Sequence, residues 1–405
     1  MLTQDEADLY DRQIRLWGVN AQSRIRQSKV LMLGFNGIAS EVAKILVLAG
    51  IDALTIVDDQ QLQESDLTSN LFCRPNGQLS HPNPSTFRTH DVKAKLRTLN
   101  PLVNVGIKNS PILSINLDDY KDYDLVTLHS FLTIEEVETI NQSCRKNGNK
   151  FYVVLDYGFF GFMFNDLGTE FKFTYEEFGN FDKKCLQPTG VDPISIGEDD
   201  LKEEFDDVGY ATSDDEDNRP KKKRRRLFSP KREFGPKDDN EKQTKVGSLP
   251  YVTFADMVSL KNTTFTKHTS PVLLISIAMF KFYTQHKHLP RYENPQAKVN
   301  DISGLNEIIV SLRDSLQLPD NVFKSLDKHW SDSIYGSLSP VCAVLGGVAG
   351  QDMIRAISNK DIPINNTFAF DGISMNGIVD QVGISDTIAQ AAPIVRDFLQ
   401  IDDDD

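Results

Sequence analysis

The sequence predicts an α/β fold built on a doubly wound parallel sheet. Apolar runs of strand length alternate with segments of helical periodicity from Lys29 to Leu155. Such alternation is typical of a parallel sheet that carries helices on both faces. The chain has 405 residues, of which 40% are hydrophobic and 25% are charged. It is therefore long enough for more than one domain and has enough apolar material for a large core.

The elements of the first half follow one another in a regular order. A capping-box pattern, Thr3-x-x-Glu6, precedes apolar residues at helical spacing and predicts an N-terminal helix that ends at Gly18. A βαβ unit follows, with strand Lys29–Leu33, turn 34–37, helix 39–48 and strand Ala53–Val57. Further strands are predicted at 103–107, 124–128 and 151–155, and further helices at 92–99 and 134–144.

The second half resumes after a long interruption. Ser270 and Pro271 form a cap and a first-turn proline for a helix at 272–283, and two more helices are predicted at 305–316 and 338–357. A β-hairpin is predicted from residues 366–371 and 377–381, with Gly372 and the pair Asn376-Gly377 in its turn. Residues 1–185 and 251–385 are thus predicted to be two parts of one domain, followed by an acidic tail at 386–405.

The interruption itself, residues 186–250, is predicted to be a charged, disordered insert. It has few apolar residues, and an acidic stretch is followed by a basic run. The basic run consists of Lys221, Lys222, Lys223, Arg224, Arg225 and Arg226. A short basic run behind a proline is typical of a nuclear localisation signal, and the alternative is a merely solvating charge run. The sequence therefore predicts a protein of the nucleus and cytoplasm.

Overall charge and composition exclude several classes of function. The chain carries 44 Lys and Arg against 58 Asp and Glu, a net charge of −14, whereas general nucleic-acid binding needs an excess of basic side chains. The sequence contains neither a secretory signal nor an apolar run of the about 18 residues that a membrane helix needs. Its four cysteines include no C-x-x-C pair, so we expect no zinc site, no disulfide framework and a reducing compartment.

A glycine turn after the first strand is the place to test for nucleotide binding. In a Rossmann-like fold, G-x-G-x-x-G lets backbone N–H groups approach a phosphate at the start of a helix. Gly34 and Gly37 are present here, but Asn36 and Ala39 replace the second and third glycines. We therefore interpret the turn as structural, with a working phosphate site as the alternative. The pair Asp58-Asp59 could bind a ribose, but without the glycines it is interpreted as a solvated strand end.

Two further residues carry groups that could do chemistry. Arg12 lies in the segment YDRQIRLWG, and composition alone indicates a surface helix with a salt bridge. Cys185 follows two lysines that would favour a thiolate, but no partner histidine is evident. A structural thiol is the favoured interpretation of Cys185, with a nucleophile as the alternative.

Several motifs together resemble one family. They are Tyr10 to Gly18 (YDRQIRLWG), 41–50 (EVAKILVLAG), 98–101 (TLNP), 161–168 (GFMFNDLG), 340–347 (PVCAVLGG) and 370–372 (FDG). This set resembles the Rossmann-like, MoeB/ThiF-like adenylation domain of the enzymes that activate ubiquitin-like proteins. Within the family, the length and the short charged insert resemble the smaller, regulatory subunit of the SUMO-activating heterodimer.

The sequence departs from the family pattern at the positions that carry catalysis. The ribose Asp of active subunits is replaced by Gln60, and the Asn and Arg that contact phosphates are replaced by Thr68 and Ser69. The magnesium-binding Asp is missing from the stretch that begins at His129, and Cys185 lacks the context of a thioester cysteine. The resemblance therefore implies a pseudo-adenylation subunit with no cofactor of its own. ATP, Mg²⁺ and the thioester cysteine would belong to an obligate partner subunit that activates SUMO.

The resemblance also implies a role for Arg12. In the family, the arginine of the Tyr-Asp-Arg-Gln segment reaches across the dimer to the ATP phosphates of the partner. A guanidinium suits this task because it is always charged and can meet two phosphate oxygens at once.

Three alternative functions remain open at this point. The nearest is the equivalent subunit for the cullin-type modifier, whose insert is typically long and structured. A nicotinamide-dependent oxidoreductase is disfavoured by Asn36 and Ala39. A scaffold without any catalytic contribution would differ from the leading interpretation only in the role of Arg12.

Overall fold

An eight-stranded sheet with helices on both faces forms the centre of the unit that the structure describes. The computed structural model describes residues 9–73, 86–176, 244–260, 263, 265, 269–318 and 329–383. The described parts on either side of the segment 178–242 belong to one compact unit.

Most elements lie close to their predicted positions. Within the described residues the helices are α1 (Asp11–Trp17), α2 (Val19–Gln27), α3 (Gly37–Ala49), α4 (Glu64–Ser69), α5 (Val92–Leu99), α6 (Ile134–Asn147), α7 (Phe254–Ser259), α8 (Pro271–His286), α9 (Pro295–Leu316) and α10 (Ser339–Ser358). The strands are β1 (Lys29–Leu33), β2 (Ala53–Val57), β3 (Asn104–Lys108), β4 (Leu125–Leu128), β5 (Lys150–Tyr157), β6 (Phe160–Asp166), β7 (Phe171–Glu176), β8 (Thr244–Leu249), β9 (Thr367–Asp371) and β10 (Asn376–Asp380).

The large sheet is mixed rather than wholly parallel. Its strand order is β10-β9-β6-β5-β4-β1-β2-β3. The strands from β5 to β3 in this order are parallel, as predicted, whereas β6, β9 and β10 pair antiparallel. The parallel order predicted for β1 to β5 is therefore confirmed, β9 and β10 form the predicted hairpin, and the antiparallel strand β6 between the two was not predicted. Strand β6 is antiparallel for a local reason, because only Gly158 and Phe159 separate β5 from β6, and so short a connection can join only antiparallel strands.

Each face of the sheet supports its own hydrophobic core. On β1, Leu31 and Leu33 face the cluster that includes α6 and α8, while Val30 and Met32 face the cluster that includes α3 and α10. All four side chains are fully buried. A strand covered on both faces appears in the sequence as a continuous apolar run, which is why β1 could be predicted.

Helix α10 is long and apolar enough, by length and composition, to pass for a membrane span, but it belongs to the core. Two-thirds of its most apolar window, 67%, is buried inside the structure. Its small residues let α3 approach closely: a Cβ atom added at Gly350 would lie 2.8 Å from Cδ1 of Ile45. No other helix of the described residues meets the same length and hydropathy criteria.

The N-terminal part contains two helices where one was predicted. Helix α1 ends at Gly18, as predicted, where the backbone adopts φ 87°. The capping box at 3–6 lies outside the described residues. Helix α2 was not predicted because its sequence is polar and only Ala21, Gln22 and Ile25 are buried.

Two predicted boundaries need correction. Strand β8 pairs antiparallel with β7, so the residues from Thr244 onward are part of the fold and the predicted insert 186–250 extends too far. The short polar strand resembled the insert in composition, but Gly247 lies against the ring of Phe173. The predicted C-terminal hairpin is confirmed, except that Asn376 and Gly377 begin β10 instead of forming the turn. The rest of the insert and the tail 386–405 lie outside the described residues.

Candidate functional site

A cleft of about 650 Å³ opens at the carboxyl end of the parallel strands. It is bounded by the turn before α3, the loops after β2 and β4, the end of β5 and the segment before α10. Ligands of doubly wound sheets bind at this edge. The cleft is therefore the place where a nucleotide site would lie in this chain.

Both glycines that remain in the turn are required by packing. Gly34 has φ 87°, and a Cβ atom on it would lie 2.4 Å from Oγ of Ser130. A Cβ atom on Gly37 would lie 2.7 Å from Sγ of Cys342. The two glycines thus hold the turn close to its neighbours, whether or not a ligand is bound.

Asn36 caps the start of α3 at the edge of the cleft. Its side chain caps α3, with Oδ1 accepting a hydrogen bond from the backbone N–H of Ala39 at 3.0 Å. Its Nδ2 atom donates to Oδ1 of Asp156 at 3.4 Å. Because the free N–H groups at a helix start are what attract an anion, the capping side chain removes part of that attraction.

The pair Asp58-Asp59 is not the solvated strand end that the sequence predicted. Asp58 is 1% exposed and accepts hydrogen bonds from the backbone N–H of Phe35 at 2.7 Å and from Nε of Arg88 at 3.0 Å. Nη1 of Arg88 also lies 3.6 Å from Asp66, whose pKa is raised by burial. The guanidinium in this wall of the cleft is therefore neutralised by carboxylates of the same chain.

The side chains of Gln60, Thr68 and Ser69, which differ from the family pattern, form hydrogen bonds close to their own positions in the chain. Gln60 is exposed and donates from Nε2 to Asp59 at 2.8 Å. The hydroxyls of Thr68 and Ser69 donate to the backbone carbonyl of Ser65, at 2.8 and 3.0 Å, within the same helix.

The position after β4 holds a neutral imidazole. His129 is 1% exposed, and burial lowers its pKa to about 3. Its Nε2 atom lies 3.0 Å from Oγ1 of Thr127. Asp156, at the end of β5, accepts a hydrogen bond from the hydroxyl of Ser337, and its pKa is raised by burial. Among the residues that the structure describes, no group of three His, Cys, Asp or Glu could hold a metal ion.

These side chains do not fit a nucleoside triphosphate with Mg²⁺. The walls contribute four carboxylates, those of Asp58, Asp59, Asp66 and Asp156, whereas Arg88 is already paired. A triphosphate would meet no unpaired Lys or Arg in this lining, and the described residues offer no group of three His, Cys, Asp or Glu to hold the Mg²⁺ that could offset the carboxylates. No step of catalysis is therefore assigned to this cleft.

Arg12 lies away from the cleft. Helix α1 rests against the opposite end of α3, where Nε2 of Gln13 donates to the carbonyl of Leu48 at 3.1 Å. At 1.5 Å per residue, the thirteen residues of α3 separate the two ends by roughly 20 Å. Arg12 is exposed and forms no hydrogen bond or ion pair within the described residues, whereas Arg15 pairs with Asp11 at 3.0 Å. The salt bridge expected for this helix thus involves its second arginine.

Sequence reasoning missed two residues of the cleft and named others that the structure leaves undescribed. Arg88 follows a stretch without clear periodicity, so nothing in the sequence linked it to Asp58. Asp156 could have been found, because it ends a buried strand at the edge where ligands bind. Lys221 to Arg226 and Cys185 lie outside the described residues.

The mixed sheet, the turn before α3 and the cleft at the strand ends define a Rossmann-like α/β domain. Residues 10–387 match the sequence model of the ThiF family, and the chain belongs to that family.

Several proteins that are similar to this chain carry the same name in distant organisms. A protein of Xenopus tropicalis named "SUMO-activating enzyme subunit 1" is 32% identical over 385 residues, which cover 95% of this chain and 97% of that protein. The Homo sapiens protein of the same name is 30% identical over 382 residues, which cover 94% and 96%. Among solved structures, Escherichia coli MccB with MccA-N7isoASN matches with a TM-score of 0.44 and 12% identity, over 95% of this chain and 74% of that one. That similarity is too weak to support further structural conclusions.

Proposed function

We propose that this chain is the regulatory, non-thioester subunit of a SUMO-activating heterodimer. It supports the ATP-dependent adenylation of the SUMO C-terminus and its later transfer to a thioester, and both reactions take place on the partner subunit. The shared name of relatives that match almost end to end supports this assignment. Membership of the ThiF family implies that the assembled enzyme uses ATP.

One observation carries the division of labour between the subunits. The side chain of Asn36 caps the helix start at which a phosphate would bind, and four carboxylates line the same cleft. This arrangement supports a subunit that holds neither ATP nor Mg²⁺ in its own cleft. ATP, Mg²⁺ and the thioester cysteine then belong to the partner.

Arg12 is the group that this subunit donates. Its guanidinium is exposed and has no partner within the described residues, so it is available to an anion outside the chain. In the heterodimer it would meet the phosphates of the partner's ATP and stabilise the charge that develops as pyrophosphate leaves. A fixed cation at a developing charge is worth about 3 to 4 kcal/mol of the activation barrier.

The basic run from Lys221 to Arg226 directs the chain to the nucleus in this proposal, and part of the protein stays in the cytoplasm. Support comes only from the sequence pattern of six consecutive basic residues behind Pro220.

SUMO-dependent exchange of ATP and pyrophosphate tests the proposal. The purified chain alone should show no exchange, and the same chain mixed with its partner subunit should restore it. Exchange by the chain alone would refute the assignment of ATP to the partner. Copurification from cells with mass-spectrometric identification of the stoichiometric partner tests the subunit assignment separately, and recovery of a monomeric chain would contradict it.

A further inference from the structure

Three stretches that lie far apart in the sequence meet at the side chain of Tyr10, just before α1. Tyr10 is 2% exposed, and its hydroxyl accepts a hydrogen bond from Nδ2 of Asn100 at 2.8 Å. Its ring lies against Gly50, where an added Cβ atom would stand 2.4 Å from Cζ of the tyrosine. The ring therefore fills a slot that is open only because residue 50 is a glycine.

The wall of the slot is held in place by further hydrogen bonds. Asn100 is 3% exposed, and its Nδ2 atom also donates to the carbonyl of Val47 at 2.9 Å. Its Oδ1 atom accepts from the backbone N–H of Leu102 at 3.1 Å. Asn100 is thus fixed to the last turn of α3, and it presents a fixed donor to the tyrosine.

The slot holds the start of helix α1, whereas the other end of the helix packs through Trp17 against the core that includes α3. None of the residues of α1 is fully buried, and the side chain of Gln13 joins the helix to the carbonyl of Leu48 in α3. The carbonyl of Tyr10 accepts from the backbone N–H groups of Gln13 and Ile14, both at 2.9 Å. The buried tyrosine therefore anchors the first turn of the helix, which is the turn that carries Arg12.

We propose that Tyr10 is a positioning residue for adenylation by the heterodimer. Held by Asn100 and Gly50, it keeps the first turn of α1 in one place, so that Arg12 is presented to the partner's nucleotide in a fixed orientation. This inference rests on the proposed function, because it needs Arg12 to act on the partner's ATP. A cation that is already in place at the moment of reaction stabilises charge better than one that must first be ordered.

A double-mutant cycle in the full heterodimer tests this role. The variants are Tyr10→Phe, Tyr10→Ala and Arg12→Ala, together with each tyrosine variant combined with Arg12→Ala. Arg15→Ala is the matched control, since it removes an exposed arginine of the same helix without touching the slot. The measurement is the single-turnover rate of SUMO adenylation at saturating ATP, with heterodimer assembly checked by gel filtration.

The tyrosine variants should slow adenylation only while Arg12 is present. Tyr10→Phe keeps the ring and loses one hydrogen bond of ordinary strength, so we expect a rate about threefold lower. Tyr10→Ala also loses the ring and should lower the rate by about tenfold or more. In the Arg12→Ala background both variants should change the rate by less than about twofold, because the effects of two substitutions that act through the same group do not add.

Amide hydrogen exchange gives a second, independent measurement. Tyr10→Phe should speed the exchange of the Gln13 and Ile14 amides in the heterodimer, whereas Arg15→Ala should leave it unchanged. If Tyr10→Phe adenylates at the wild-type rate, or if its effect is fully retained in the Arg12→Ala background, the positioning role is overturned while the proposed function stands. If Arg12→Ala itself has no effect on the rate, the donation of Arg12 is overturned as well.

Discussion

The buried pair of Arg88 and Asp58 gives the sharpest prediction about stability. Replacing Arg88 with Ala leaves Asp58, which is 1% exposed, without its guanidinium partner. Removing one member of a buried ion pair typically costs about 3 to 5 kcal/mol of unfolding free energy. Asp58 keeps two backbone donors, the N–H groups of Phe35 at 2.7 Å and Gln60 at 3.0 Å. The cost should therefore lie near the lower end, at about 3 kcal/mol.

Two further variants separate charge from packing. Arg88→Lys keeps the charge but loses the paired donors of the guanidinium, so it should cost less than Arg88→Ala but remain measurable. Arg15→Ala breaks an exposed pair, whose side chains are 77% and 52% exposed, and should change stability by about 0.5 kcal/mol or less.

Urea unfolding of the full chain, followed by circular dichroism and by fluorescence, measures these differences. Coincident transitions from the two probes are needed before free energies are compared. An Arg88→Ala variant within about 1 kcal/mol of the wild type would refute the reasoning. It would mean that Arg88 contributes little to the stability of the fold.

Three other predictions concern catalysis, location and pH. Arg12→Ala should slow formation of the partner-linked thioester by about a hundredfold to a thousandfold, and Arg12→Lys should recover only part of that loss, as single-turnover assays would measure. Neutralising Lys221 to Arg226 should shift the chain toward the cytoplasm in fluorescence microscopy without changing heterodimer activity. Burial raises the pKa of Asp380 to about 6. Protonation of Asp380 therefore stabilises the fold fully below about pH 4, and this contribution is lost as the pH rises through 6. Asp380→Asn should remove this pH dependence of the unfolding free energy, as denaturation curves at several pH values would measure.

The elements that could be predicted are those whose signal is local. Strand β1, helix α3 and strand β2 appear in the sequence as an apolar run, a helical repeat ended by Gly50 and a second apolar run, because both of their faces are covered. Helix α2 and strand β8 carry no such signal. Their polar sequences are fixed by contacts with distant residues, such as the bond from Nε2 of Gln22 to the carbonyl of Ala49 at 2.9 Å.

The same distinction applies to the candidate site. The loss of the turn glycines is visible in the sequence, so the structural interpretation of the turn could be made from Asn36 and Ala39 alone. The partner of Asp58 could not be found in this way, since Arg88 lies 30 residues further along the chain. No periodicity or motif connects the two charges, which meet where Phe87 forms a β-bridge with Gln61 just after β2.

Both ends of helix α3 bear on the function that we propose for this chain. In a phosphate-binding fold, the N–H groups at the start of such a helix are left for the ligand. Here the start is capped by Asn36, and the last carbonyls each accept a hydrogen bond from a side-chain amide: Val47 from Asn100, Leu48 from Gln13 and Ala49 from Gln22. Unpaired end groups are the usual reason for a helix end to attract a ligand, and here one N–H at the start and three carbonyls at the end are already paired with side chains. The C-terminal end of α3 instead holds the two N-terminal helices, and through them the arginine that we assign to the partner's ATP.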